Sequence, residues 1–159
     1  MKKQWLAYIR LIRPANIVTA IADILAGFAI SGAAFLLISQ TNGLPAIDPL
    51  PALLWLCLST IGLYGGGVVF NDVFDADLDL VERPERPIPS GEVPITYAGI
   101  LAVVLLLTGI LAAWQVSVMS GTIALVVAIL SVIYDAWGKH QLILGPINMG
   151  LCRSGNLLL

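Results

Sequence analysis

Long apolar runs alternate with short polar breaks along this chain. Four runs are long enough to cross the hydrocarbon core of a bilayer as helices, at about 1.5 Å of rise per residue. A fifth apolar run begins near Gly145. Because backbone groups inside lipid must be satisfied within each segment, the pattern predicts an all-α, multi-pass transmembrane helical bundle. The four complete runs are residues 17–38, 50–70, 95–114 and 116–134.

Composition strengthens this interpretation. Of the 159 residues, 58% are hydrophobic and 11% are charged, and the mean hydropathy is +0.94. A soluble domain of this length has one core, which could not absorb several apolar runs of about 20 residues. Cys57 and Cys152 both lie inside apolar runs, so no disulfide framework is implied. The lipid bilayer is the expected partner, and no nucleic acid partner is expected.

The basic residues predict the orientation of the helices, since Lys and Arg near membrane ends are retained on the cytoplasmic side. If the helices alternate in direction, seven basic residues share one face. The opposite loops, 39–49 and about 115–121, contain no Lys or Arg. We therefore expect a cytoplasmic N-terminus and location in the inner cell membrane. The seven residues are Lys2, Lys3, Arg10, Arg13, Arg83, Arg86 and Lys139.

An acidic cluster follows the second apolar run. On a helix, Asn71, Asp72, Asp75 and Asp79 fall within an arc of about 100°, whereas Asp77 lies on the far side. Three carboxylates on one face repel each other and need a cation. Mg²⁺ takes one or two carboxylates and completes its octahedron with water and phosphate oxygens. The cluster therefore predicts a magnesium-diphosphate type of site.

Two other kinds of site could also explain the acidic cluster. A hydrated acidic loop balanced by Arg83 and Arg86 remains open, although such a loop needs no one-face spacing. A calcium-binding EF-hand loop is excluded. Counted from Asp75, its sixth position is Leu80 and not Gly, and its twelfth is Arg86 and not Glu.

At these residues the sequence resembles the UbiA superfamily of intramembrane prenyltransferases. The family signature NDxxDxxxD is matched without a gap by the four residues above, and the following RPERPIPSG is similar to the family's cytoplasmic loop. The upstream LIRPAN and the Tyr134 and Lys139 pair in YDAWGK also match family elements. The stretch GPINMGLCRSGN is similar to the EboC-type branch.

The resemblance implies a bundle of about nine helices that transfers a prenyl group from its diphosphate to an unidentified acceptor, aromatic or otherwise small. Asp72, Asp75 and Asp79 would hold Mg²⁺ against the diphosphate. Asn71 would supply a neutral oxygen or an orienting hydrogen bond, completing the expected catalytic set. The diphosphate-binding residues are expected to be Arg83, Arg86, Lys139 and Arg153.

Polar residues inside the apolar runs are expected to face a cavity. In the first predicted helix, Asn16, Thr19 and Asp23 stand at positions i, i+3 and i+7, so the three share a face. Arg153 lies in the fifth run, and exposing its charge to lipid would be energetically costly. It should therefore point inward, toward anionic substrate or Asp23. Helix packing for Asp23 and snorkelling for Arg153 remain open. The expected cavity-facing set is Asn16, Asp23, Tyr134, Asn148, Asn156 and Arg153.

The chain departs from the family pattern in its C-terminal part. Family members carry a second aspartate motif there, and none is found here, since Asp135 has no partner carboxylate at helical spacing. We therefore expect residues 1–159 to be one membrane domain, the truncated N-terminal part of such a bundle. It would supply about four complete helices and the start of a fifth, and would be inactive in prenyl transfer alone. The oligomeric state is left open.

Two other functions compete with prenyl transfer. A fragment of a cation-coupled transporter would also place Asp, Asn and Gly in membrane helices, but its carboxylates would sit near the bilayer midplane. This cluster comes at the cytoplasmic exit of the second run and precedes a basic, proline-rich loop. A non-catalytic lipid-binding homologue would keep the fold without the chemistry.

Overall fold

The computed structural model describes residues 2–33 and 49–159, and the regular elements of those two ranges are all helical. A short 3₁₀ turn, Gly138–His140, precedes the last helix. The predicted all-α class is therefore confirmed for the described part of the chain. The helices are α1 (Lys2–Ile12), α2 (Pro14–Ile30), α3 (Leu50–Phe74), α4 (Ala76–Glu82), α5 (Ile95–Trp114), α6 (Val118–Ala136) and α7 (Leu144–Leu158).

Three of these helices, α3, α5 and α6, are long and apolar enough to cross a membrane, with mean hydropathies of 1.8, 2.4 and 2.0. Helices α1 and α2 pass the same test together, as one span bent by 42°. Large apolar side chains such as Ile100, Leu107 and Ile129 lie exposed on the outside of the bundle. Such a surface suits lipid, which is as apolar as these side chains.

The first predicted span, residues 17–38, is wrong at its C-terminal end. Its start lies within three residues of the start of α2 at Pro14, but α2 ends at Ile30. Gly32 follows with φ of 81°, a left-handed conformation that glycine adopts without strain and that ends helices. Residues 34–38 of the expected span lie outside the described residues. The next three predicted spans agree with α3, α5 and α6 within four residues at each end.

A break at Arg13 separates α1 from α2. Pro14 begins α2, and its ring prevents α1 from continuing through this point. Arg13 takes up the turn with φ 51° and ψ 65°, a left-handed conformation that is uncommon for a residue with a Cβ. This bend directs the side chain of Arg13 toward α3.

Glycines let α3 and α5 approach until their backbones touch. A Cβ on Gly62 would lie 2.5 Å from the carbonyl oxygen of Leu105, and one on Gly109 would lie 2.8 Å from that of Ser59. Small residues at such contacts are the usual means of close helix packing in lipid. Helix α3 therefore lies at the centre of the bundle and also contacts α1, α2 and α6.

Two apolar clusters hold α3 in place. One contains Leu63, Leu106 and Ala124 and joins α3 to α5 and α6. The other contains Leu11 and Val69 and joins α3 to α1 and α5 near the loop that follows α4. The clusters leave a space between α2, α3, α6 and α7, which the polar residues line.

Candidate active site

The acidic motif lies where α3 ends and α4 begins. Asp75 sits between the two helices with φ −90° and ψ 4°, so the expectation of one regular helix through Asp79 is wrong at this residue. The helical hydrogen bonds nevertheless continue, from Asp75 N–H to Asn71 O at 2.9 Å and from Asp79 N–H to Asp75 O at 2.7 Å. The break therefore leaves the polar side chains on a common side.

Two of the motif carboxylates share one arginine. Arg86 Nη1 lies 2.5 Å from Asp79 Oδ2 and 3.2 Å from Asp72 Oδ1. Arg13 Nη2 lies 2.5 Å from the same oxygen of Asp72. The carboxyl side chains of Asp72 and Asp79 are only 5% and 4% exposed, and buried charge is tolerated when it is paired. The motif is thus a buried charge network.

The third carboxylate is paired from the other side of the bundle. Lys139, in the 3₁₀ turn after α6, donates from Nζ to Asp75 Oδ1. Both side chains are largely buried. The pair joins the turn after α6 to the break at Asp75, so Lys139 lies beside the acidic motif. Its role in diphosphate binding stays a prediction.

Asn71, the first residue of the motif, contacts a residue that sequence reasoning did not select. Its Nδ2 donates to Asp135 Oδ1 at 3.1 Å. Asp135 is 4% exposed and lies in the last turn of α6. The available signal was its place at the membrane end of a helix, directly after Tyr134 and four residues before Lys139. For Arg13, likewise, the sequence predicted only the orientation of the helices and a match to the family element LIRPAN. It did not predict the contact with Asp72.

A cavity of about 460 Å³ extends from this network into the bundle. Asn71 and Arg13 line it, so the cavity reaches the acidic motif. Four helices contribute polar side chains together with apolar ones such as Leu63 and Val127. The polar lining residues include Asn16, Thr19, Asp23, Tyr64, Ser131, Tyr134, Asp135, Arg153 and Asn156.

A second ion pair lines the cavity away from the motif. Arg153 Nε is 3.4 Å from Asp23 Oδ2, the expected partner, but the side chain of Arg153 is 68% exposed. Asp23 follows Arg13 by ten residues on α2, which corresponds to about 15 Å along the helix. Asn156 lies nearby, where it accepts a hydrogen bond from Thr60 at 2.7 Å and donates one to Ala20 O at 3.1 Å. Its amide therefore fastens α7 to α2 and α3.

Some residues that the sequence singled out do not line the cavity. Arg83 is exposed, and it forms no ion pair with a carboxylate in residues 2–33 or 49–159. Asn148 is buried, and its Oδ1 accepts a hydrogen bond from Cys152 Sγ at 3.6 Å. Asp77 is exposed on α4, as the helical arc predicted. The side chain of His140 is outside the described atoms.

The motif carboxylates contact cations rather than one another. Within the described ranges, no three His, Cys, Asp or Glu side chains are placed to hold one metal ion together. The donor chemistry still suits Mg²⁺, which prefers hard oxygen ligands and needs only one or two carboxylates. Magnesium binding by Asp72, Asp75 and Asp79 therefore stays a prediction.

Comparison with known proteins identifies relatives of the whole chain. Two curated relatives are both named digeranylgeranylglyceryl phosphate synthase. The one from Ignicoccus hospitalis is 31% identical over 152 residues, covering 96% of this chain and 45% of the relative. The one from Methanothrix thermoacetophila is 34% identical over 139 residues, covering 87% of this chain and 48% of the relative. The chain thus spans about half the length of the curated relatives it matches.

A solved structure from work on digeranylgeranylglyceryl phosphate synthase in membranes has the same fold. It superimposes with a TM-score of 0.82 at 26% identity, over 99% of this chain and 52% of the solved chain. The UbiA prenyltransferase family matches residues 28–156, most of the sequence. With its apolar helices, the chain is an integral membrane protein. The predicted resemblance is confirmed, and the chain belongs to the UbiA prenyltransferase family.

Proposed function

We propose that this chain supplies the diphosphate-binding part of an intramembrane prenyltransferase that uses Mg²⁺. The observation that carries the proposal is the charge network of the motif, in which three carboxylates meet three basic side chains beside a cavity. A diphosphate with a bound divalent cation carries both signs of charge. The carboxylates of the network would therefore bind the cation, and its basic side chains would bind the phosphate oxygens.

The motif residues divide this work between them. Asp72, Asp75 and Asp79 would hold Mg²⁺, which neutralises charge on the leaving diphosphate when it is bound. Arg86 and Lys139 now contact these carboxylates. Phosphate oxygens accept the same charge-assisted hydrogen bonds as carboxylate oxygens, so the two cations exchange partners when the diphosphate enters. They then stabilise the charge that grows as the carbon–oxygen bond ionises.

Arg13 joins this set as a third cation, because it contacts Asp72 and also lines the cavity. Arg83 and Arg153, the other basic residues proposed for the diphosphate, have less structural support. Arg83 is exposed, and Arg153 is paired with Asp23 away from the motif and is largely exposed. Both stay in the proposed diphosphate-binding set, and Arg13 has stronger structural support than either.

The cavity would hold the isoprenoid tail. Its volume of about 460 Å³ lies within the range of roughly 300–1,000 Å³ for small-molecule sites. Its apolar side chains, such as Leu63 and Val127, would pack against the tail and help to exclude water, which would otherwise capture the allylic cation. The product named for the relatives favours a geranylgeranyl donor and a glyceryl phosphate lipid as the first acceptor to test.

The direct test is Mg²⁺-dependent binding of geranylgeranyl diphosphate to the purified chain in lipid nanodiscs. Asp75→Ala and Asp79→Ala should each weaken binding by at least about tenfold, because each removes a cation ligand. Asp77→Ala is the matched control, since this residue is exposed on the same helix as Asp79. An equal loss in the control, or binding by the unmodified chain that ignores Mg²⁺, would contradict the proposal.

A further inference from the structure

Asp135 is a buried carboxylate to which the proposed function gives no role. It is 4% exposed and lines the same cavity as Asn71. Its hydrogen bond in the described part of the chain is the one from Asn71 Nδ2, at 3.1 Å. The bond crosses from α3 to α6, between residues 64 positions apart in sequence. A buried carboxylate here needs a reason, because its burial is costly and it adds negative charge near a site for an anion.

The hydrogen bond sets the orientation of the Asn71 amide. A carboxylate only accepts hydrogen bonds, so the NH₂ group of Asn71 must face Asp135. The reverse orientation would place two oxygens against each other. The carbonyl oxygen of Asn71 is therefore the end of the amide that does not face Asp135, and Asn71 lines the cavity.

We propose that Asp135 is a positioning residue that holds the Asn71 amide with its carbonyl oxygen available to the cation and diphosphate. Partners of this kind commonly orient the ligands of a metal site. The inference rests on the proposed function, since it gives the Asn71 oxygen a bound cation to meet. Asp135 itself then needs no contact with substrate.

Positioning and charge make different predictions for this residue. If Asp135 acted only through its charge, the Asn and Leu variants, which both remove that charge, would change binding equally. If it positions Asn71, removing its acceptor oxygen weakens binding. Asp135→Asn removes the charge and keeps an oxygen that can accept from Asn71, whereas Asp135→Leu removes both.

The experiment measures the Mg²⁺ concentration for half-maximal binding of geranylgeranyl diphosphate to the chain in nanodiscs. Asp135→Leu should raise this concentration by about 10- to 100-fold. Asp135→Asn should stay within about threefold of the unmodified chain. Asp135→Leu should add nothing further in an Asn71→Ala background, because the effect passes through Asn71.

Three results would overturn the positioning role of Asp135. Unchanged or tighter binding in Asp135→Leu, or equal losses in the Asn and Leu variants, overturns the positioning role. Losses that add in the double variant overturn it as well. If Asp135→Leu does not fold, Asp135→Ser replaces it, since its shorter hydroxyl cannot reach Asn71, and the same loss is expected. If the unmodified chain shows no Mg²⁺-dependent binding, the proposed function fails first and this inference fails with it.

Discussion

At the scale of single residues, Arg86 joins two carboxylates of the motif. It contacts both Asp72 and Asp79, which are almost completely buried. Arg86→Gln should lower the free energy of unfolding by on the order of 3 kcal/mol, because it leaves buried carboxylates with too little compensating charge. Denaturant titration in mixed micelles measures this loss. Arg83→Gln, an exposed change in the same loop, should have little effect, and equal losses would contradict the assignment.

The residues of the motif differ in how far the sequence predicts them. The spacing of Asp72, Asp75 and Asp79 is local, so helical geometry alone predicted that they share a side. Asp135 and Arg13 meet the motif across 64 and 59 positions of the chain. Contacts of this length depend on how helices pack, and no local spacing encodes them. These two residues therefore emerged only from the structure.

At the scale of helices, the contact between α3 and α5 depends on Gly62. A Cβ there would lie 2.5 Å from Leu105 O and 2.6 Å from Gly109 N, which are backbone atoms that cannot turn aside. Gly62→Ala should therefore push the helices apart and cost roughly 1–3 kcal/mol of stability.

Gly99 is the matched control for that change. It lies in α5, and a Cβ there would meet nothing within 4 Å. Gly99→Ala should be neutral or stabilising by up to about 1 kcal/mol, since alanine favours helix. Thermal unfolding in detergent compares the two variants. A gain in both would show that the α3–α5 contact is looser than described.

Helix positions were more predictable than helix irregularities. Apolar length alone predicted both ends of α5, because the apolar run and the helix Ile95–Trp114 coincide. The break at Asp75 was missed, since the hydrogen bonds continue through it and no Pro or Gly marks it. The bend at Arg13 is marked by Pro14, but the left-handed conformation of Arg13 shows only in the structure.

At the scale of the whole molecule, the charge network and the described basic residues other than Arg153 gather at one end of the bundle. Arg10 of α1 pairs with Glu92 in the loop before α5, and Lys139 pairs with Asp75 at the start of α4. The turn between α5 and α6, at residues 115–117, carries no Lys or Arg. Within the described residues, one end of the bundle thus carries the charge network and the turn at the other end carries no Lys or Arg, as membrane insertion with basic loops inside requires.

This asymmetry predicts that the motif end faces the cytoplasm. Glu85 lies in the loop after α4, and Gln115 follows α5, a helix of 20 residues that spans about 30 Å. In a background with Cys57→Ala and Cys152→Ala, Glu85→Cys should react with an impermeant maleimide only in inside-out vesicles. Gln115→Cys should react only in right-side-out vesicles. Labelling of both from one side would contradict the crossing of α5, and the reverse pattern would place the diphosphate site outside, where the basic loops should not be retained.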